Sequence, residues 1–337
     1  MITNTLRHAL NWIRHILRNR REMRQITDQE WRTACQKSRV PFDMIECTPA
    51  NALLLRLNHS SIKLPKTLSA LRVLSGYSYL YDLEAHTGCL VEFDEQKDVL
   101  ILQWGQAKYL VDSLEELHTL REIYLAGDYD FTPAESTVLL DIGANVGFTS
   151  IFLADINPDL LIVACEPLPE NYLKALNNLA ANPQLSGKIS LHNYGVFSED
   201  GQKTIVSEIG NRVRSSIVID QMNDTRGAIE YTSVKVRRAS DLVLQIRALN
   251  PTRQIVIKMD CEGSEYEILR NLETDGAINF VSGVLMEWHK LIGTDDNSEF
   301  IRAFFKRSGF NICMHGRTQS KSDIGMAYAF RTNGFEN

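Results

Sequence analysis

Four ionisable residues stand at the ends of two apolar segments in the second half of the chain. Asp260 and Glu262 follow the apolar run Ile255–Met259, and Glu287 and His289 end the next one. Asp260 and Glu262 alternate on a chain predicted as extended, so their side chains should point the same way. A carboxylate or an imidazole held beside a hydroxyl group can accept its proton, and neighbouring acids can orient the reacting groups. We therefore predict Asp260 or His289 as a proton acceptor, with Glu262 and Glu287 as orienting residues.

The same carboxylates have a second possible chemistry. Asp260, Glu262 and Glu287 are hard oxygen ligands of the kind that Mg²⁺ prefers. Acids near strand ends need not converge on one point, so we assign no metal ligand and keep the ion as an alternative. Lys258 is predicted to pair with a neighbouring acid, and Glu265 to interact favourably with the start of its helix.

A glycine-containing turn follows an earlier apolar run, with the sequence DIGANVG at 141–147. Such a turn lets a ligand approach the backbone closely and directs free N–H groups of the next helix towards it. The spacing matches neither G-x-G-x-x-G nor a phosphate-binding G-K-[ST] loop. The predicted ligand-binding residues of this turn are Asp141, Gly143, Ala144, Asn145 and Gly147.

A second acidic position follows the next apolar run, in the sequence Cys165-Glu166-Pro167. A glutamate at this place can accept hydrogen bonds from both hydroxyls of a ribose, and Pro167 would line the same site. The turn N–H groups suit a carboxylate and Asp141 suits an ammonium, as on the methionine end of S-adenosylmethionine. The alternative is a solvated glutamate at a strand end.

From residue 137 onwards, short apolar strands alternate with longer helical stretches, which predicts a mostly parallel sheet with helices on both faces. The predicted strands are Thr137–Leu140, Leu161–Cys165, Ile189–Asn193, Ile255–Met259 and Val281–Met286, with short β-like runs at 202–206, 217–220 and 232–237 and a final antiparallel pair, Phe310–Met314 and Met326–Phe330. The predicted helices are 147–155, 169–181, 240–248, 264–272 and 298–307. The pattern indicates an α/β, Rossmann-like, doubly wound seven-stranded sheet with a terminal antiparallel strand, the plan of class I methyltransferases.

The segment before this core divides into two parts. Residues 1–26 contain six arginines and apolar residues at helical spacing, which predicts a basic amphipathic helix. This helix either contacts anionic lipid or a partner, or packs on the protein itself. Residues 27–130 are predicted as an N-terminal α+β cap, with a capping box at Thr27 and Glu30, a helix at about 66–83 and another at about 113–126. The main domain is assigned to 131–332.

The chain resembles the FkbM methyltransferases in four segments: DIGANVGFTS (141–150), CEPLPENYLKALNNLAAN (165–182), IVIKMDCEGSEYEIL (255–269) and VLMEWHK (284–290). The resemblance extends to REIYLAGDYDF (121–131), in which Tyr129 is predicted to lie on a lid over the cofactor. It implies S-adenosylmethionine as cofactor and methylation of hydroxyl oxygens in sugars, polyketides and related small molecules. The chain departs from the family in having Cys261, where an aliphatic residue is frequent, and a long approach to its first core strand.

Bulk properties limit the classes of protein that remain. The net charge of −6 argues against a general nucleic-acid binder. There is no run of eighteen apolar residues and no signal-peptide core, and the six cysteines are scattered without a C-x-x-C pair. These features predict a cytoplasmic protein without disulfides or structural zinc, with a membrane-peripheral location through residues 1–26 as the alternative. The oligomeric state stays open.

Three functions fit these observations. The favoured one is methyl transfer from S-adenosylmethionine to a hydroxyl of a small molecule, sugar or glycan. An NAD-dependent oxidoreductase on a similar sheet is the second, although its glycine fingerprint is missing. The third is a catalytically inactive methyltransferase fold that serves as a binding module, because a fold does not by itself establish an activity.

Overall fold

The structure of the protein is a computed structural model that describes residues 27–37, 40–41, 44–47, 52–133, 135–208, 211–216, 229–291, 297–316 and 324–331. The helix predicted for residues 1–26 and the β-like run predicted at 217–220 lie outside these residues. The chain divides into two compact units, 1–127 and 128–337. This division falls three residues before the boundary that the sequence predicts at 130.

The first unit contains helices and two small sheets. Its elements in chain order are α1 (Asp28–Lys37), β1 (Ile45–Cys47), β2 (Leu53–Arg56), β3 (Ser61–Leu64), α2 (Leu68–Ser75), α3 (Tyr77–Thr87), β4 (Leu90–Asp94), β5 (Val99–Trp104), β6 (Ala107–Val111) and α4 (Leu114–Arg121). The strands pair antiparallel as β1-β2-β3 and as β4-β5-β6. The α+β character predicted for this region agrees with these elements.

The start of α1 has the predicted capping box. The backbone N–H of Thr27 donates to Glu30 Oε2 at 2.9 Å, and the N–H of Glu30 donates to Thr27 Oγ1 at 3.2 Å. Each side chain therefore satisfies a backbone donor that the first helical turn leaves without a partner.

The helix predicted at 66–83 is wrong in one respect, because the structure contains two helices separated at Gly76. The Gly76 N–H bonds to the carbonyl of Val73 at 3.0 Å and closes α2, and Gly76 then precedes the first residue of α3. A Cβ at this position would lie 2.6 Å from Leu117 Cδ1, so a larger residue here would require the Leu117 side chain on α4 to shift. After α4, residues Glu122–Ala126 continue as a π-helical turn.

The second unit is built on alternating strands and helices. Its elements in chain order are β7 (Thr137–Ile142), α5 (Phe148–Ile156), β8 (Leu161–Cys165), α6 (Pro169–Ala180), β9 (Ile189–His192), β10 (Gly195–Phe197), β11 (Gly201–Glu208), β12 (Asn211–Ser216), β13 (Ile229–Arg238), α7 (Ala239–Leu249), β14 (Gln254–Met259), α8 (Glu265–Thr274), β15 (Gly283–His289), α9 (Ser298–Arg307), β16 (Asn311–Gly316) and β17 (Ile324–Phe330).

Seven of these strands form the main sheet in the order β16-β17-β15-β14-β7-β8-β9. The strands from β15 to β9 pair in parallel, whereas β17 lies antiparallel to both β15 and β16. This is the doubly wound, mostly parallel seven-stranded sheet with a terminal antiparallel strand that the sequence predicts, and the fold class is confirmed.

The centre of the sheet is fully covered. All six residues of β7 and all seven of β15 are buried, because helices lie on both faces of a parallel sheet. The same runs carry acidic residues among the aliphatic ones. Asp141 and Glu287 are therefore buried charges, and each must be explained by its partners or its function.

A second sheet interrupts the alternation after β9, in the order β10-β13-β11-β12. The predicted β-like runs 202–206 and 232–237 fall within β11 and β13. One face of this small sheet is buried against the rest of the second unit. Its buried residues are Ile205 and Val206 of β11 and Val234 and Val236 of β13. Leu168, which follows β8, belongs to the same apolar cluster. This sheet therefore lies next to the end of β8.

Candidate active site

A cavity opens at the carboxyl ends of β7, β8 and β14. The strand β7 lies between β8 and β14, which is the switch point where doubly wound sheets bind their ligands. The predicted site residues that line this cavity are Gly143, Asn145, Glu166, Pro167, Asp260 and Glu262.

The turn after β7 is shaped by close backbone packing. Gly143, Asn145 and Gly147 all have positive φ, at 80°, 50° and 83°. A Cβ on Gly143 would collide with the carbonyl oxygen of Asp260, and one on Gly147 would lie 3.3 Å from the Cβ of Ala175. The glycines thus let the turn approach both the end of β14 and the helix α6.

The prediction that the N–H groups of this turn face a ligand needs correction. The N–H groups of Gly143 and Ala144 donate to the carbonyl of Cys165 at 3.1 and 3.0 Å, and that of Gly147 donates to Ala144. The Asn145 N–H donates to Glu166 Oε2 at 2.8 Å. These donors therefore join the ends of β7 and β8 and shape the turn. Ala144 and Gly147 act as structural residues here.

Glu166 is the acid that faces the cavity from β8. Its side chain accepts the N–H of Asn145 on Oε2 and the N–H of Leu168 on Oε1, at 2.8 and 2.9 Å. Burial raises the pKa of Glu166 to about 8, although these two hydrogen bonds lower it. Each carboxylate oxygen keeps a further lone pair, so both oxygens retain the capacity to accept a hydroxyl donor.

Asp141 occupies a different environment from the one predicted. Its carboxylate is fully buried, Lys258 Nζ lies 3.1 Å from its Oδ1, and the Ser150 hydroxyl donates to its Oδ2 at 2.6 Å. Lys258 Nζ also donates to the carbonyl of Gly143 at 2.8 Å. The ion pair predicted for Lys258 is confirmed. Asp141 does not line the cavity, so we correct its assignment from a direct ligand of an ammonium to a residue that anchors the turn.

The charge of Lys258 is maintained in this buried position. Burial lowers the pKa of Lys258, but the carboxylates of Asp141 and Asp260 raise it by more. The ammonium also lies 5.5 Å from the centre of the Tyr129 ring. Lys258 therefore keeps its proton, and its contacts with Asp141 and the Gly143 carbonyl tie β14 to the turn after β7.

Tyr129, predicted on a lid over the cofactor, is itself buried. Its hydroxyl donates to Asp260 Oδ2 at 3.4 Å. Since this is a long hydrogen bond, it orients Asp260 only weakly. Tyr129 therefore contacts the reacting end of the site through Asp260 and Lys258.

Asp260, Glu262 and His289 converge at the end of β14 and β15. One ligand atom from each of them lies within 4.8 Å of those of the other two. The sequence predicts that Asp260 and Glu262 point the same way by alternation on an extended chain, but β14 ends at Met259 and Glu262 has a φ of 52°. A left-handed turn, and not strand alternation, brings the two carboxylates together.

His289 lies between two glutamates. Its Nδ1 is 3.1 Å from Glu265 Oε1, and its Nε2 is 3.4 Å from Glu262 Oε2. Glu265 is fully buried and also accepts the N–H of Cys261 at 3.3 Å. Glu265 was predicted only as a favourable charge at the start of α8, and the prediction did not include its contact with His289. Glu287 is buried on the same strand as His289 but lies outside the group of three converging side chains.

The charge around His289 bears on its predicted role as a proton acceptor. Burial lowers the pKa of His289, but Glu265, Glu262 and Glu287 raise it by more, to about 10. The ring therefore carries its proton at neutral pH in the free protein and is a poor base. Of the two proposed acceptors, Asp260 is the better placed, because it lines the cavity.

Several residues of the site were missed by sequence reasoning. Leu168, Asn171, Ile205 and Ser264 also line the cavity. Leu168 and Asn171 follow Glu166 closely and could have been found from their place at the start of a helix. Ile205 has no comparable signal, because it belongs to the sheet inserted after β9.

The strand order, the antiparallel β17 and the acidic residue after β8 together define a class I methyltransferase architecture. The family model described as the methyltransferase FkbM domain matches residues 141–312, slightly more than half of the 337 residues. The chain belongs to the FkbM methyltransferase family, and this membership identifies S-adenosylmethionine as its cofactor.

Two curated relatives and one solved structure are similar to this chain. Methyltransferase sdnD of Sordaria araneosa is 26% identical over 226 residues, covering 60% of this chain and 85% of that protein. Methyltransferase 1 of Beauveria bassiana (strain ARSEF 2860) is 24% identical over 224 residues, covering 61% and 85%. The crystal structure of methyltransferase FkbM from Methylobacillus flagellatus KT aligns with a TM-score of 0.40 and 15% identity, covering 64% of this chain and 52% of that one.

Among the residues that the structure describes, none of the helices combines the length and the apolar content that a membrane span requires.

Proposed function

We propose that the protein transfers the methyl group of S-adenosylmethionine to a hydroxyl oxygen of a small molecule, sugar or glycan. The observation that carries this proposal is that Glu166, suited to the donor, and Asp260, suited to the acceptor, line one cavity. Methyl transfer requires the attacking oxygen to be held in line with the methyl carbon, at about 3 Å. Two acids at the ends of β8 and β14, the strands on either side of β7, suit this geometry.

The residues around Glu166 fit the nucleoside part of the cofactor. The free lone pairs of its carboxylate would accept the two ribose hydroxyls, as acids at this position of a doubly wound sheet do for nucleotides. Ile142, Leu168, Val196 and Ile205 supply apolar surface for the adenine ring. Asn171 adds an amide that can donate to or accept from the ligand.

The residues around Asp260 would handle the acceptor. S-adenosylmethionine supplies the electrophilic methyl group when bound, and the protein needs only to hold the hydroxyl and accept its proton. Asp260 is the proposed proton acceptor, with its carboxylate oriented by Tyr129 and by the charge of Lys258. Glu262 and His289 would orient the substrate.

The proposed acceptor is neutral or cationic and small enough for the space beside the cofactor. The negative net charge disfavours a nucleic-acid acceptor, and the acids around Asp260 favour a hydroxyl-rich molecule over an anion. Peripheral membrane contact through residues 1–26 remains part of the proposal. Flotation of the full chain with anionic and neutral vesicles tests it, and equal recovery with both would remove the lipid contact.

The test of this function is calorimetry followed by an acceptor screen. The full chain is titrated with S-adenosylmethionine and with NAD, and only the former is expected to bind. Incubation with a methyl-labelled donor and a panel of sugars, polyketides and amines should label hydroxyl compounds. Cofactor binding without transfer to any acceptor would favour a binding module, and binding of NAD alone would contradict the proposal.

A further inference from the structure

Asp260, Glu262 and His289 differ from an ordinary cluster of acids in their ligand types. Two carboxylates and one imidazole from two separate segments converge within 4.8 Å. Neighbouring ligands of a metal ion with bonds of about 2.1 Å lie about 3 Å apart. The 3.4 Å between His289 Nε2 and Glu262 Oε2 is close to that separation.

The imidazole of His289 is held as a metal ligand would be. Only 9% of its side chain is exposed, and its Nδ1 faces the fully buried carboxylate of Glu265 at 3.1 Å. Histidines that bind metals usually donate their other ring N–H to a carboxylate, which fixes the ring and directs the free nitrogen. Here that arrangement directs Nε2 towards Glu262. A metal ion bound at Nε2 would displace the proton that this nitrogen carries in the free protein.

Ser264 provides an independent sign that a polar ligand belongs in this part of the cavity. Its side chain is 1% exposed and lines the same cavity as Asp260 and Glu262. Its hydroxyl oxygen is buried and has no hydrogen-bond partner among the residues that the structure describes. A buried hydroxyl without a partner costs free energy unless a bound water or ligand satisfies it. Water on a metal ion would do so.

The net charge of the cluster also supports the binding of a cation. The carboxylates of Asp260, Glu262 and Glu265 surround one imidazole, whereas Lys258 is bonded to Asp141 and to the Gly143 carbonyl. Bringing acids together in a partly buried place is unfavourable unless a cation balances them. A divalent ion bound to three of these side chains supplies that balance.

We propose that Asp260, Glu262 and His289 bind one divalent transition-metal ion of the Mn²⁺ type. Carboxylates suit Mn²⁺ and Mg²⁺, and the imidazole shifts the preference away from Mg²⁺. Three protein ligands leave open positions on an octahedral ion. This step rests on the proposed function: two adjacent oxygens of the acceptor would occupy the open positions. The substrate class is then a vicinal diol or a similar chelating pair. The ion would hold both oxygens and lower the pKa of the bound hydroxyl.

The binding step is tested without any activity measurement. The full chain is treated with chelator, dialysed and titrated with MnCl₂, while electron paramagnetic resonance follows free Mn²⁺. One equivalent should bind, with a ¹⁴N coupling from the imidazole in the pulsed spectrum. Glu262→Gln should weaken binding at least 10-fold, and His289→Gln should remove the nitrogen coupling.

Glu267→Gln is the matched control, because Glu267 lies on α8, is half exposed and pairs with Arg270 outside the cavity. It should bind Mn²⁺ as the unmodified protein does. Absence of saturable binding, or equal binding by the unmodified protein and Glu262→Gln, would overturn the metal site. If His289→Gln fails to fold, circular dichroism shows it, and Glu262→Gln, at a partly exposed side chain, then carries the test.

The same samples separate this proposal from the proposed function. Calorimetry with S-adenosylmethionine in the presence of chelator measures donor binding alone. Donor binding without Mn²⁺ binding would refute the proposed metal site and would leave the proposed methyltransferase function unaffected. Mn²⁺ binding without donor binding would refute the proposed function and leave the ion in place. Competition by MgCl₂ at equal concentration should displace little Mn²⁺, and full displacement would contradict the ion type.

Discussion

Two groups of charged residues lie at neighbouring strand ends of the same sheet, and they differ in how their charges are balanced. Asp141 is matched by Lys258 and Ser150, and all three are buried. Asp260, Glu262 and Glu265 surround a single histidine, and Asp260 and Glu262 line the cavity. In the first group the protein supplies the opposite charge, whereas in the second the negative charges outnumber the positive one.

This contrast separates acids that build the site from acids that act in it. A buried, internally paired carboxylate fixes the backbone, and removing its partner leaves an uncompensated charge. A carboxylate that faces a cavity with excess negative charge can bind a cation or accept a proton. Sequence position alone does not separate the two, because Asp141 and Asp260 both stand at the end of a central strand.

The largest effect should come from breaking the paired group. Lys258→Met leaves Asp141 buried without its cationic partner, and we expect a loss of about 3–5 kcal/mol in the free energy of unfolding. Urea denaturation followed by circular dichroism measures it. Glu262→Gln, in the open group, should change stability by less than about 1 kcal/mol. Equal losses of stability in the two variants would show that the paired group and the cavity-facing group do not differ in this way.

Asp260→Asn should reduce catalysis and leave the fold intact. Removal of a proton acceptor costs about 10²-fold or more in turnover. We expect this loss in kcat with an acceptor found in the screen, while the dissociation constant for S-adenosylmethionine changes less than about threefold. Steady-state kinetics and calorimetry check the two quantities. Full activity in the variant would exclude Asp260 as the base.

Glu166→Gln should weaken the binding of S-adenosylmethionine about 10-fold, the expected cost of losing charge-assisted hydrogen bonds. The pKa of Glu166 is raised to about 8 in the free protein, so its carboxyl group is mostly protonated below that pH and ionised above it. Since the ionised form accepts both ribose hydroxyls, affinity should rise between pH 6.5 and 9.

Calorimetry of the unmodified protein and Glu166→Gln across this range checks the prediction. The variant has no titrating group at this position, so the increase specific to Glu166 should disappear from it. Parallel pH profiles of the two proteins would assign the dependence to another group.

The smallest effect is expected for Tyr129→Phe. The hydroxyl of Tyr129 lies 3.4 Å from Asp260 Oδ2, so its loss removes only a long hydrogen bond. We expect kcat to fall about twofold to fivefold, with unchanged donor affinity. A loss as large as that of Asp260→Asn would instead place the tyrosine among the reacting groups.

The fold was largely predictable because its strands are continuous apolar runs bounded by polar turns. The strand Leu161–Cys165 has the predicted bounds, and Thr137–Leu140 was short by two residues. The break at Gly76 was not predicted, since glycine is tolerated inside helical patterns and its packing against Leu117 is a tertiary contact.

The sequence predicts which residues stand at the strand ends of the site, but not which side chains contact each other there. Parallel strands bring Glu166 and Asp260 to one edge, so their common cavity follows from the topology. The pairing of Glu265 with His289 joins residues 24 positions apart, and no local pattern indicates it. The turn N–H groups were misjudged because their acceptor, the carbonyl of Cys165, lies on another strand.

The contact between Gly143 and the Asp260 carbonyl leaves no room for a methyl group between two segments of main chain. The Asp260 N–H donates to the carbonyl of Ile142 at 3.0 Å, and Lys258 holds the carbonyl of Gly143. The donor turn and the segment that carries the proposed base therefore behave as one rigid piece. The main chain would therefore fix the distance between the methyl group of a bound donor and the proposed base. Substrate specificity would then have to be altered by substitutions in surrounding segments, such as the inserted sheet that contains Ile205.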